Sequence, residues 1–366
     1  MRDVDRIRHG LAGAAARGGG VMLATVIGVE GSVYRGAGAR MIVMSTGETI
    51  GAVSGGCLEA DIIARAPDNI AAGRPELVSY DTRASDDVVL GLGLGCQGII
   101  DLLLEPLAGR TLTEAVTFYE RLASHRMPVI VLTMLGSDDG PPIGTRLVLD
   151  ELGEVIEGDR TLLEHEPSVA REIVRPATPL VICGGGADAI PLVRLATLMG
   201  WHVTVVDHRS SFATTARFPE AHAVICANVS ETPSLLAEHV ALDGQTMAVV
   251  MAHSATHDRA YLHAMLDAGA SYIGVLGPLR RTLELLGERG RGAASPLPSA
   301  VHAPVGLDIG AESPEEIALA IVAEISAVSA GRTGGLLRDR RGPIHERAGT
   351  RRVALVEPTG DHATGR

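Results

Sequence analysis

The segment that most restricts the fold lies at mid-chain, where PLVICGGG (179–186) runs into ADAIPLVRLATLMGW (187–201) and then HVTVVDHR (202–209). A β-branched apolar run, a glycine cluster, a helical stretch and a second apolar run form a strand–helix–strand unit. Gly184, Gly186 and Ala189 fit the G-x-G-x-x-A spacing, and Asp207 closes the second strand about 20 residues on. Glycines at that turn let backbone N–H groups approach a diphosphate, with Gly185 in the same loop. The helix N-terminus adds a positive dipole, and the acid is placed to meet ribose hydroxyls. A domain of this kind that binds no nucleotide, its glycines serving packing alone, remains the alternative.

The same rhythm continues with strands at 223–227, 246–253 and 271–277, and helices near 233–240 and 258–268. Alternation of this type predicts a Rossmann-like, doubly wound parallel sheet over 179–331. A strong helix at 314–330 closes it, with Ser313 as cap, Pro314 at its first position and Glu316 completing a capping box.

The preceding 156 residues read differently. A short amphipathic helix (2–17) and a strand (21–29) precede a Gly/Arg loop (30–40), and a hairpin (41–53) turns at Ser45–Glu48. SGGC (54–57) leads into a helix, and further strands fall at 77–82, 99–106, 128–135 and 145–150, with a helix near 111–125. We expect a small α+β domain over 1–156, a charged, proline-containing linker over 157–178, and a partly disordered tail over 332–366.

Composition removes several function classes. The chain carries 32 basic and 44 acidic residues, a net charge of −12, so general nucleic-acid or anionic-membrane binding is not expected. All the basic residues are arginine, which excludes Schiff-base and P-loop lysine chemistry. No 18-residue apolar run and no signal peptide are visible, and a cytoplasmic protein is expected. At 46% hydrophobic but 2% aromatic, its cores must be aliphatic. We further expect a homodimer or higher oligomer.

Cys57, Cys96, Cys183 and Cys226 contain no C-x-x-C pair, and no disulfide framework is expected. Cys57 follows Ser54, Gly55 and Gly56 and opens a helix, a position that favours a thiolate. Cys96 sits in a second glycine-rich loop, GLGLGCQG (91–98). Either thiol would serve equally well as a small residue filling a tight turn. Cys183 and Cys226 fall in apolar strands and read as packing residues. Arg35 and Arg40 flank the loop before the hairpin, and Arg280 and Arg281 follow a strand end. His253 ends another strand with Asp258 just beyond, and HAPVGLDIG (302–310) has no evident chemistry.

Taken together, SVYRGAGARMIV, GAVSGGCLEADI, LGLGCQG, the 181–209 unit, YIGVLGPLRR and HAPVGLDIGAESPEEIALAIVAEI resemble, in order, the XdhC/CoxI family, accessory factors of xanthine dehydrogenase-type molybdenum hydroxylases. The resemblance covers about residues 5–345 and departs from the family pattern at Gln97 and Ala252. It implies binding and protection of molybdenum cofactor, in mono- or dinucleotide form. It also implies support of its sulfuration by a cysteine desulfurase, and delivery to an apo molybdenum hydroxylase. By position, Cys57 matches the family's SGGC cysteine, Gly184–Gly186 its Rossmann loop, and His253 with Asp258 a Met-x-His-x4-Asp pattern. Cys57 is then the candidate ligand of the metal–sulfur end. Two alternatives stand beside this: an NAD(P)-dependent oxidoreductase with Asp207 on the ribose, and an interaction protein with an empty Rossmann site.

Overall fold

The computed structural model describes residues 2–83, 98–136, 139–165, 168–228, 230–231, 242–287 and 297–341. The chain divides into two units, Met1–Pro176 and Ala177–Ile344.

The first unit opens with α1 (Arg2–Arg17), whose Val4, Ile7, Leu11 and Ala14 recur every three or four residues and are all buried. Then come β1 (Val21–Gly31), β2 (Arg40–Met44), β3 (Thr49–Gly51), α2 (Glu59–Ala72), β4 (Glu76–Asp81), β5 (Gly98–Leu107) and α3 (Gly109–Ser124). The strands form an antiparallel sheet in the order β3-β2-β1-β5-β4. Strand β1 is central and buried along eight successive residues because helices cover both faces. Val21 and Leu23 pack with α1 and α3, while Met22, Ala24 and Val26 pack with α2. The expected hairpin is present as β2 and β3.

A second antiparallel sheet, ordered β8-β7-β6-β9, comprises β6 (Val129–Met134), β7 (Arg146–Leu149), β8 (Val155–Gly158) and β9 (Val169–Val174). Residues 157–178 are therefore not a linker; β9 pairs with β6 along its full length. Charges at Arg171 and Glu172 disguised the strand. Glu172 is not a solvated linker charge but the partner of Arg40. Arg40 binds Glu172 Oε1 at 2.9 Å and Tyr119 Oη at 3.0 Å, and Arg146 binds Glu105 at 2.5 Å. These pairs tie β2 to β9 and β5 to β7, joining the two sheets within the unit.

The second unit contains β10 (Pro179–Cys183), α4 (Ala189–Leu198), β11 (His202–Asp207), β12 (Ala223–Cys226), β13 (Met247–Val250), α5 (Ala255–Asp267), β14 (Tyr272–Val275), α6 (Leu279–Leu286), β15 (Val301–His302) and α7 (Pro314–Ser329). The sheet is parallel throughout, in the order β12-β11-β10-β13-β14-β15. Strand order reverses between β10 and β13, the switch point at which such sheets bind ligands. Leu180 and Ile182 pack towards α4 and α7, and Val181 and Cys183 towards α5 and α6. The capping box at Ser313 and Glu316 forms as expected: Ser313 N–H donates to Glu316 Oε2 at 2.9 Å. Helix α6, which carries Arg280 and Arg281, was not anticipated. The helix expected near 233–240 lies outside the described residues.

Candidate functional site

Each unit carries its own set of candidate groups. In the first, the SGGC turn leads from β3 to α2. Buried Ser54 organises it: its Oγ accepts from the N–H groups of Gly56, Cys57 and Leu58 at 3.1–3.2 Å. Glu59 folds back over the same turn. Its Oε1 accepts from Ser54 N–H at 2.8 Å, and its Oε2 accepts from Leu58 N–H and the Ser54 hydroxyl. Burial raises the Glu59 pKa, but the hydrogen bonds from Ser54 and the backbone outweigh it and hold the carboxyl below its usual range. The backbone donors that a thiolate at Cys57 could have used are thus already taken.

Cys57 is half-buried, free of any disulfide, and rests against the core beneath α2. Gly56 adopts φ +110°, and a Cβ added there would meet nothing within 4 Å. Gly55 faces Tyr34, with a virtual Cβ 3.4 Å from Tyr34 Cγ, and Tyr34 is 72% exposed. Sequence reasoning missed Tyr34; its signal was an aromatic beside a glycine loop in a chain with 2% aromatics.

Neither loop arginine is directed at Cys57. Arg35 pairs with Asp3 of α1. Arg40 is buried and held by Glu172 and Tyr119; burial opposes its charge, but these partners outweigh it and keep the guanidinium protonated. Both line an open groove of about 420 Å³ beside Gly38 and Arg175. Cys96 lies outside the described residues.

In the second unit the glycine loop follows β10, and its three glycines do different work. A Cβ on Gly184, at φ +126°, would fall 2.6 Å from the backbone of Met251 and Ala252. One on Gly185 would meet Phe212 O at 2.9 Å. Gly186 is open, its nearest neighbour being His253 Cδ2 at 3.8 Å. Gly184 and Gly185 are required for packing, and Gly186 alone leaves room for a ligand.

Asp207 is fully buried and fully engaged. It accepts from Gly185 N–H (2.7 Å), Arg209 N–H (2.8 Å), Arg209 Nε (2.9 Å) and Arg209 Nη2 (2.7 Å). Burial alone would raise its pKa, but these bonds hold it down to about 2. Asp258 is likewise buried, accepting from Ala252 N–H at 2.8 Å and pairing with Arg281. Arg281 also donates to Leu276 O at 3.2 Å, while Arg280 is exposed and bridges to Glu284. Asp207 and Arg281 therefore brace the loops.

His253 is the one described non-glycine residue with positive φ, at 57°, and its Nε2 lies 3.3 Å from Asp188 Oδ2. Cys226, expected inside a strand, is exposed at the end of β12. The 302–310 loop is explained by Glu324 of α7, which accepts from Gly306 N–H and Tyr272 Oη at 2.6 Å and lies 3.1 Å from His302 Nδ1. Among the described residues no cluster of His, Cys, Asp and Glu could hold a metal ion, and no helix is long and apolar enough to cross a membrane.

Comparison with known proteins agrees with this division. Residues 14–81 match the XdhC and CoxI family, and residues 180–325 match the XdhC Rossmann domain. The chain is 33% identical over 323 residues to a probable xanthine dehydrogenase subunit of Bacillus subtilis, covering 83% of this chain and 92% of that protein. It is 26% identical over 317 residues to the molybdenum cofactor insertion chaperone PaoD of Escherichia coli, covering 86% of this chain and 85% of that one. The crystal structure of a xanthine dehydrogenase from Bacillus halodurans superposes with a TM-score of 0.75 at 31% identity, over 91% of this chain and 97% of the other. With relatives aligned across both units, and the glycine-flanked cysteine and Rossmann loop each in its own, the chain belongs to the XdhC/CoxI family.

Proposed function

We propose that this chain is an accessory factor that binds molybdenum cofactor, shields it while a cysteine desulfurase sulfurates it, and delivers it to an apo molybdenum hydroxylase of the xanthine dehydrogenase type. Cys57 carries the reading. It is a half-buried free thiol on a turn whose backbone is fixed by Ser54 and Glu59, beside the open position at Gly56. A soft thiolate suits a molybdenum–sulfur centre, which here is cargo and not a resident group. The names of relatives, one a molybdenum cofactor insertion chaperone, point the same way. In the second unit, the open Gly186 position is offered to a phosphate-bearing ligand.

An NAD(P)-dependent reading is weaker, because the acid that would hold the ribose is spent on Gly185 and Arg209. The protein is taken to work in the cytoplasm as a homodimer. The test is Cys57→Ser, which nearly preserves volume while removing the soft ligand. The folded variant, incubated with released molybdenum cofactor and gel-filtered, should retain less than about a tenth of the wild-type molybdenum, and client activation should fall with it. Wild-type retention in the folded variant refutes the assignment and leaves Cys57 a packing residue.

A further inference from the structure

The chain has one tryptophan, five tyrosines and three phenylalanines, and of these only Tyr34 is exposed. Its neighbours hold it in place on both sides. Val33 packs against the core shared by β1, β2 and α2. A Cβ on Gly98, the first residue of β5, would strike Val33 Cγ1 at 2.6 Å, so that contact is close-packed. On the other side Arg35 is tied to Asp3 of α1. The exposed ring is therefore carried between two anchored residues.

The ring lies face-on to the SGGC turn. A Cβ on Gly55 would stand 3.4 Å from Tyr34 Cγ and 3.6 Å from both Cδ1 and Cδ2, the spacing of an atom above the ring plane. One face of the ring thus looks towards Gly55, and the other is open to solvent, since Tyr34 is 72% exposed. Two residues beyond Gly55, Cys57 is half-buried and free, and the position between them at Gly56 is open. The polar groups of this region are already engaged: Ser54 and Glu59 with the turn, Arg35 with Asp3. What the loop presents beside the thiol is an uncovered π face, which suits a planar ring better than an ion.

We propose that Tyr34 is a stacking platform for the pterin ring of the cargo and so positions its metal–sulfur end towards Cys57. The inference rests on the reading that Cys57 receives molybdenum cofactor, and it supplies the group that recognises the organic part of that cargo. Stacking uses the face of the ring and not the phenolic hydroxyl, so planarity at position 34 is what matters. Glycine at position 55 lets the ring rest against the turn; a side chain there would lift it.

The probe is 6-hydroxymethylpterin, which carries the flat heterocycle without metal, dithiolene or phosphate. Titrated with the full chain and followed by pterin fluorescence anisotropy, it should bind saturably with a Kd below about 1 mM. Tyr34→Ala, and Tyr34→Leu, which is apolar but not planar, should each weaken binding at least about tenfold. Tyr34→Phe should stay within about twofold of wild type. Because the side chain is exposed, all three variants should keep the wild-type calorimetric transition, which shows that they are folded. No saturable binding up to about 1 mM, equal affinity in wild type and Tyr34→Leu, or a loss in Tyr34→Phe as large as in Tyr34→Ala overturns the proposal. Its failure is distinct from that of the Cys57 reading. Unchanged pterin affinity in Tyr34→Leu removes the platform even where Cys57→Ser has lost its molybdenum. Full molybdenum retention in Cys57→Ser removes the thiol ligand even where Tyr34→Leu has lost the pterin.

Discussion

Replacing Asp207 by Asn tests whether this acid is a ligand-binding group or a brace. The substitution keeps the volume and removes the charge. In the wild type four donors converge on the carboxylate, and the side chain is fully buried. An amide can accept through one oxygen only. Its NH2 then faces either Gly185 N–H together with Arg209 Nη2, or Arg209 N–H together with Arg209 Nε, and Arg209 loses its counter-charge. The folded carboxyl is held at about 2 against a reference of 3.8, which corresponds to roughly 2 kcal/mol favouring the ionised native state. Leaving a buried donor unmatched adds on the order of 1 kcal/mol, so we expect a loss of about 3 kcal/mol.

The assay is built into the sequence. The single tryptophan, Trp201, is 7% exposed and packs in the core of the second unit, so its fluorescence reports that unit's unfolding in urea. With a slope of about 2 kcal/mol per molar, the midpoint should drop by about 1.5 M at pH 7. The contribution exists because ionisation is easier in the folded chain. It is complete above the unfolded carboxyl value near 4 and is lost as pH falls towards 2. Wild type and variant should therefore converge in acid. A pH 7 midpoint within about 0.3 M of wild type, or a gap that persists unchanged to pH 2, would refute the bracing role and return Asp207 to the ribose.

Other outcomes follow from the same contacts. Gly184→Ala should cost more than about 2 kcal/mol, since its Cβ would meet three backbone atoms at 2.6 Å, while Gly186→Ala, with 3.8 Å of room, should stay within about 0.5 kcal/mol by Trp201 fluorescence. Glu172→Gln strands the buried Arg40 guanidinium and should lower the calorimetric transition of the first unit by an amount equivalent to about 3 kcal/mol. Glu59→Gln removes the carboxylate that gathers Ser54 and Leu58, and about 1–2 kcal/mol should be lost in the same transition.

The parallel sheet was legible because its strands are buried on both faces and read as apolar runs. The strand–glycine–helix signal at 179–207 marked β10 and β11, which pair in parallel, while the order of the six strands came from the structure. Strand β9 was not legible. Its Arg171 and Glu172 look like a solvated linker until the structure brings Arg40, 132 residues away, onto Glu172. The site divides the same way. Residue type and spacing marked Cys57, Gly184–Gly186 and Asp207, because local turn chemistry shows in sequence. What those groups are bonded to does not, since the partners come from other elements. The role of Asp207 and the exposure of Cys226 both depend on neighbours one strand over. Likewise His208 and His257 are 49 positions apart and stack only because α5 packs over the sheet end.

One device recurs at four strand-end or glycine turns. Glu59 takes the N–H of Ser54, Asp207 that of Gly185, Asp258 that of Ala252, and Glu324 that of Gly306. In each case a side-chain carboxylate, not a ligand, satisfies a backbone donor that the turn would otherwise leave unpaired. Two of these acids are further paired with arginine, the third also accepts from a serine hydroxyl, and the fourth accepts from a tyrosine hydroxyl beside a histidine ring. The net charge of −12 is therefore a poor guide to the field at the loops, where the acids are internal to the framework. What the turns leave open is the half-buried thiol of Cys57 in one unit and the position at Gly186 in the other.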